Sequence, residues 1–420
     1  MTPPNRRSAR LPNSIRALGH RNFRFYFAGQ AISVLGSWIQ QVAMSWLVYR
    51  LTGSTALLGI TAFCALIPQL FIGPLAGAWI DKQDKRKWLI VIQGLLALQG
   101  FTLAVLTATG LINPTFLVAM ALTLGVLNSF DTPLRQSLIG SFVGRREDLG
   151  NALALNAMLF SIGRSIGPPI AGFLISLTSE AACFAVNGVS FLALMAGVAA
   201  AKIEVPQRAT GSIRDVFSEG IHYAWRTWPV RTLIVTLIAL NLTASTYAVL
   251  LPVFASDVFG GNASTLGLLW GAAGVGAFAS TVTLAMRQTD RGVVAGVLTG
   301  ITIACAATIA FSLSHSLPIA MLAMAGIGAG NSVTNVGINM LLQSMAPETL
   351  RGRVISFFTS TRFGFDAVGG LIAGFVATRL GASHTLLGEG ILLLCYVAFL
   401  ATRRTRLLDA VAARQPGHGN

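Results

Sequence analysis

Six ionisable side chains sit in stretches of sequence that otherwise carry almost no charge: Asp131, Arg135, Arg164, Arg362, Asp366 and Glu389. A carboxylate among apolar residues can take up and release a proton, because protonation removes the charge whose desolvation is costly. An arginine keeps its proton and acts beside an acid as a fixed countercharge. Asp131 and Arg135 share a helical face at i,i+4, with Asn128 one turn earlier, and Arg362 and Asp366 repeat that spacing with the signs reversed. Each charge costs about 2.5–3.5 kcal/mol at the centre of an inserted helix, so such residues are rarely idle. Two readings stay open: Asp131, Asp366 and Glu389 as proton carriers with Arg135, Arg164 and Arg362 as partners, or self-neutralised pairs serving insertion and packing. The depth of Glu389 depends on where the last apolar stretch begins.

Other chemistry is sparse. His20, His222, His315, His384 and His418 fall at segment ends or in loops, and Cys64, Cys183, Cys305 and Cys395 lie in apolar runs without metal-type spacing. No metal and no cofactor is expected. No Gly-x-x-x-x-Gly-Lys-Ser/Thr loop is present, so direct ATP drive has no support. A membrane-embedded enzyme would need clustered His and acids or a positioned nucleophile, and a sensor would need a larger soluble module.

The elements that must position these residues follow from composition. Only 11% of the residues are charged, 54% are apolar and the mean hydropathy is +0.68. Apolar stretches long enough to cross about 30 Å of hydrocarbon recur along nearly the whole chain. They are placed at 23–49, 55–80, 88–110, 115–138, 150–177, 181–201, 231–256, 264–286, 293–313, 318–343, 354–378 and 384–402. With the N-terminus inside, 25 of the 30 Lys and Arg fall on that side, and only Arg50 and Arg379 fall opposite. This pattern explains the net charge of +15 without a nucleic-acid partner and puts both termini in the cytoplasm.

The expected organisation is an all-α membrane protein of about twelve transmembrane helices in two pseudo-symmetric six-helix bundles. A cytoplasmic tail occupies 1–22, the first bundle 23–201, a linker with a surface helix 202–230, the second bundle 231–402 and a second tail 403–420. Ile170-Ala-Gly-Phe173 recurs as Ile372-Ala-Gly-Phe375, an offset that also lays Gly167 on Gly369 and Arg164 on Asp366. Duplicated halves are a common build of secondary transporters.

Two motifs carry a family resemblance. Between spans 2 and 3 runs Gly77-Ala-Trp-Ile-Asp81-Lys82-Gln-Asp84-Lys85-Arg86-Lys87. In span 5, Gly163-Arg-Ser-Ile-Gly167-Pro168-Pro-Ile-Ala-Gly172 combines a small-residue face with prolines that kink the helix. The first resembles the major facilitator superfamily signature Gly-x-x-x-Asp-Arg/Lys-x-Gly-Arg-Arg/Lys, with Asp84 in the place of a glycine. The second resembles that superfamily's Gly-x-x-x-Gly-Pro-x-x-x-Gly exporter motif. With Asp131-Thr-Pro-Leu-Arg135 and Pro347-Glu-Thr-Leu-Arg351-Gly-Arg353, the chain is similar to the branch of enterobactin exporters and drug:proton antiporters.

The resemblance implies a cavity lined by the first and fourth helices of each half, with Asp131 as leading proton carrier and Asp366 as rival. It implies a cytoplasmic gate of Gly77, Asp81, Lys82 and Arg86, closing on span 11 near Arg353. Polar stripes on three of those four helices fit this cavity: Gln30, Ser37 and Gln41, then Asn241, then Asn331, Asn335 and Asn339. Together these imply a monomeric exporter in a bacterial inner membrane, working by alternating access and proton antiport, with membrane lipids around it. A siderophore ranks first as cargo, an amphiphilic drug second and a lysophospholipid third.

Overall fold

The computed structural model describes residues 13–80, 82–144, 146–201, 222–286, 289–347 and 350–412. Among them, twelve helices are long and apolar enough to cross a membrane. The first six are α1 (Arg21–Thr52), α2 (Thr55–Ile80), α3 (Lys85–Ala108), α4 (Pro114–Phe142), α5 (Leu149–Leu177) and α6 (Glu180–Ala200). The seventh span, α7, covers Trp228–Val258. It is followed by α8 (Ala263–Ala285), α9 (Asp290–Ser312), α10 (Leu317–Met345), α11 (Arg351–Leu380) and α12 (Ala382–Thr402). A short helix, α13 (Arg404–Ala412), occupies the start of the expected C-terminal tail, where Arg406 lies 4.6 Å over the Trp228 ring. The expected surface helix of the linker falls largely outside the described residues.

The sequence sets the ends of these helices through local hydrogen bonds. Asn113 accepts from Phe116 N–H with Pro114 in the first turn, and Asn262 closes a capping box with Thr265. Gly53 ends α1 at φ 58°, a left-handed conformation that costs glycine little. Asp84 accepts the amide of Lys87 and caps α3. The residue that departs from the family motif therefore starts the next helix.

One helix is broken. The first part of α7 ends at Leu242 and the helix resumes at Tyr247, ending in a π-helical turn, Phe254–Val258. Across residues 243–246 the amides of Thr243 and Ser245 both bond the Leu240 carbonyl. The sequence places one apolar span over 231–256 and so predicts an unbroken helix there.

Helices α1–α6 pack with one another, as do α7–α12, and the halves meet through α2 against α11 and α5 against α8. The largest apolar core draws Leu47, Leu58 and Phe184 from one half and Phe254, Trp270 and Leu386 from the other. It occupies the end remote from the chain termini. Near the termini each half keeps its own core, one around Phe23, Leu96 and Phe142, the other around Leu237, Ile338 and Phe358. The molecule is thus joined at one end and divided at the other.

The internal repeat marks this seam. A Cβ on Gly172 of α5 would lie 2.5 Å from the Ala263 carbonyl oxygen, and one on Gly374 of α11 would lie 2.6 Å from that of Thr55. Their partners Gly167 and Gly369 press on Trp38 of α1 and on the Asn241 carbonyl of α7. Gly77 behaves otherwise: a Cβ there would meet nothing within 4 Å. That end of α2 lies where the halves are apart.

Branched side chains at the seam should pry it open. Gly172→Val and Gly374→Val each introduce overpacking worth about 1–3 kcal/mol, which is about five- to 150-fold in a two-state equilibrium. A single cysteine replacing Val258, probed with a membrane-impermeant maleimide, should label faster in both variants. Unchanged labelling would count against this seam.

Candidate functional site

The acids and arginines form three separate groups. The first lies inside the N-terminal half. Arg135 Nη2 pairs with Asp131 Oδ2 at 2.6 Å and Arg135 Nη1 donates to Gln30 Oε1 at 2.9 Å, while Gln93 Nε2 donates to Asp131 Oδ1 at 2.5 Å. Asp131 is 5% exposed and Arg135 9%. The i,i+4 spacing on α4 brings the pair together, and α1 and α3 supply the amides that complete it. Asp131 and Gln30 were expected on a cavity wall; the structure encloses both among α1, α3 and α4. Gln93 was not foreseen, because a lone amide in an apolar run gives no sign of its partner. A second polar set, Gln40 with Gln99 and Asn187, lies in the same bundle.

The second group is at the α7 break. Glu389 is buried within α12, and the Thr246 hydroxyl meets its Oε2 while also approaching the Thr243 carbonyl at 2.6 Å. Asn331 of α10 reaches the same turn, its Nδ2 donating to the Ala244 carbonyl at 3.3 Å, and its Oδ1 is buried without a partner. Asn241 donates to the Leu237 carbonyl within α7, and Asn335 to the Asn331 carbonyl within α10. Thr246 carried no sequence signal, because the break that exposes it is itself unmarked.

The third group lies between the halves near the helix middles. Arg164 Nη2 of α5 donates to the Tyr247 hydroxyl of α7 at 3.2 Å. Arg362 and Asp366 of α11 lie close enough to Arg164 and to each other for mutual electrostatic influence. Among the described residues, no ion pair within 4.0 Å joins Asp366 to either arginine. Arg362 instead stacks 5.5 Å from the Phe363 ring. Trp270 adjoins Trp38 and Tyr247, with ring centroids 5.9 and 5.7 Å away, so an aromatic layer borders the charges on the closed side. Trp38 in turn fills the notch left by Gly163 and Gly167, which is how the exporter-type motif of α5 seats this layer; Pro168 stays within the continuous helix.

Contacts at the two ends differ. On the joined end Tyr49 donates to Asp257 Oδ2 at 2.5 Å across the halves, and Arg50 pairs with Glu180 at 2.7 Å within one half. At the divided end Arg86, expected in the gate, donates to the Val198 and Ala199 carbonyls at the end of α6. Lys82 is exposed. Asp81 lies outside the described residues, and Arg353 stands at the start of α11. Ser37 and Asn128 are partly buried, Gln41 is exposed, and Asn339 accepts from Gln343 on the face of α10. No cluster of three or more His, Cys, Asp or Glu able to hold a metal occurs among the described residues.

A family model described as transmembrane secretion effector matches residues 13–418. The staphyloferrin A transporter of Staphylococcus aureus is 25% identical over 91% of this chain and 97% of its own. The multidrug efflux pump Tap of Mycolicibacterium fortuitum is 26% identical over 89% and 94%. Among solved structures, a bacterial homologue of the lysosomal transporter Spinster, inward-facing and unoccupied, superposes with a TM-score of 0.73 at 13% identity, covering 95% of this chain and 99% of that one. A D-xylose–proton symporter does so with 0.72 at 15%, covering 91% and 97%. At these identities the structures establish the fold.

The buried Asp131–Arg135 pair yields a thermodynamic test. Arg135→Met leaves a buried carboxylate without its cation, a loss of about 3–5 kcal/mol for pairs of this kind. Combining it with Asp131→Leu should recover most of that loss. Thermal unfolding of the purified variants decides; equal destabilisation by the single and double changes would show that the pair is not a unit.

Proposed function

The chain belongs to the transmembrane secretion effector family of major facilitator transporters, and on that premise we propose that it exports a small organic molecule by proton-driven alternating access. It is a multi-pass protein of a bacterial inner membrane. Both termini are assigned to the cytoplasm on the distribution of Lys and Arg. The end near the termini then faces inward, and the divided state is the one that loads cargo from the cytoplasm. The observation that carries the reading is the single core at the outer end against two separate cores at the inner end. One seam is closed, and its counterpart must form when the protein turns over.

Coupling to protons rests on buried carboxylates. Asp131, Asp366 and Glu389 are the three candidates, each within a span. Protonation removes a charge and its desolvation cost, so a carboxyl enclosed differently in the two states binds protons with different affinity. That difference is what allows a proton gradient to drive the cycle. The two relatives above, one named for staphyloferrin A and one for multidrug efflux, support a siderophore as first cargo and an amphiphilic drug as second. In the gate, Asp81 with Lys82 and Arg86 would latch against α11 near Arg353. The transporter acts as a monomer.

Inverted proteoliposomes test the whole proposal. Cargo should accumulate inside them when the lumen is acidified, and a protonophore should abolish the accumulation. Glu389→Gln, Asp131→Asn or Asp366→Asn, whichever replaces the coupling acid, should keep downhill movement and lose accumulation. Accumulation indifferent to the gradient would reject proton antiport. Neutralising the gate, Asp81→Asn, should raise labelling of cysteines on the cytoplasmic side.

A further inference from the structure

Two guanidinium groups in the middle of the membrane have no carboxylate within ion-pair distance among the described residues. Arg164 gives one bond to Tyr247, and its Nε is buried without a partner. Arg362 lies against the Phe363 ring. Trp270, 4% exposed, also carries a buried Nε1–H with no acceptor. The group therefore has surplus donors and surplus positive charge. Asp366, which acts electrostatically on both arginines, offsets a single unit of it. A buried N–H without an acceptor and a charge without a pair are both costly, and natural interiors rarely keep them without a use.

The side chains come from both halves. Arg164 and Trp38 stand on α5 and α1, and Tyr247, Trp270, Arg362 and Asp366 on α7, α8 and α11. Arg164, Arg362 and Asp366 are partly exposed although they lie near helix middles, and Arg164 acts electrostatically on the other two from the opposite half. Arg164 from one half and Arg362 with Asp366 from the other thus stand at the boundary that an exported cargo would have to cross. Planar guanidinium forks match carboxylate geometry, and the tryptophans beside them offer flat apolar surface.

We propose that this cluster is the cargo subsite and that it selects an organic anion: a carboxylate or similar oxyanion carried on an aromatic or apolar body. This deepens the export reading and rests on it. It excludes amphiphilic cations as preferred cargo, because two arginines against one aspartate repel them.

Fluorescence polarisation of purified protein in nanodiscs tests the subsite without requiring transport. The probes are carboxyfluorescein, an aromatic carboxylate, and tetramethylrhodamine ethyl ester, a cationic relative. The anion should bind more tightly than the cation. Arg164→Gln and Arg362→Gln should each weaken anion binding about ten- to hundredfold, the range for a charge-assisted hydrogen bond, with Arg164→Lys intermediate. Asp366→Asn should strengthen it several-fold, a gain that misfolding cannot produce. No binding of carboxyfluorescein, equal binding of both dyes, indifference to both arginine changes, or weaker binding in Asp366→Asn would each overturn the proposal. Transport is scored separately in the inverted proteoliposomes. Failure there rejects export and leaves the outcome of the binding measurement intact.

Discussion

Hydrocarbon solvates neither charges nor unpaired hydrogen-bonding groups, and every ionised side chain within the spans must be enclosed by the protein itself. That constraint explains why the charges do not form one site. Asp131 and Arg135 are neutralised inside the N-terminal half, with amides from α1 and α3 completing the shell. Glu389 is sheltered by the hydroxyl of Thr246 at a break in α7. Arg164, Arg362 and Asp366 are held apart from such shells, at the boundary between halves, where water can reach them when one end is open. The first two arrangements are self-contained; the third is left incomplete. An incomplete shell in a place that opens and closes is what a binding site requires.

Duplication supplies the geometry for that opening. Gly172 and Gly374 occupy equivalent positions in the two halves and make equivalent approaches, one to the start of α8 and the other to the start of α2. Arg164 and Asp366 are equivalent in the same way, one turn or more inward along α5 and α11. The two seams are therefore related contacts, and the pair of opposite charges stands at equivalent positions on the helices that make them. Small residues let the backbones touch without side chains to disengage. Under the proposed cycle the same contacts would form and separate at each turnover.

Much of this was legible in the sequence, and the reasons are specific. Span positions followed from hydropathy because the bilayer fixes a minimum apolar length, and the helix ends observed differ from those expected by four residues at most. The repeat of Ile-Ala-Gly-Phe pointed to duplicated halves, while the placement of its glycines at the seam depends on helix packing that the repeat does not encode. The direction in which each polar side chain faces was less legible. Gln30 and Gln40 lie on α1 in the same stripe as Ser37 and Gln41, yet the first two are fully enclosed and Gln41 is exposed. A helical wheel assigns a face and says nothing of which neighbour covers it. The break at residues 243–246 was illegible for a related reason: no proline or glycine marks it, and its hydrogen bonds depend on Asn331 and Glu389 from other helices.

The anion subsite constrains where the exchanged proton can reside. Protonating Asp366 would remove a charge that repels an anionic cargo, and ligands that strengthen each other's binding travel together. The proposed exchange would need the opposite sign, so a proton on Asp366 would favour co-transport and the antiport proposal would then have to rest on another acid. Asp131 is walled within one half. Glu389 is better connected: it bonds Thr246, and the next residue, Tyr247, receives the hydrogen bond of Arg164. A change in the charge of Glu389 would act first on the broken turn of α7, then one peptide away on Tyr247, which accepts from Arg164 across the halves. That line runs from α12 through α7 to α5 without a gap. If Glu389 carries the exchanged proton, that line would give its protonation a route to Tyr247 and Arg164 at the boundary between the halves.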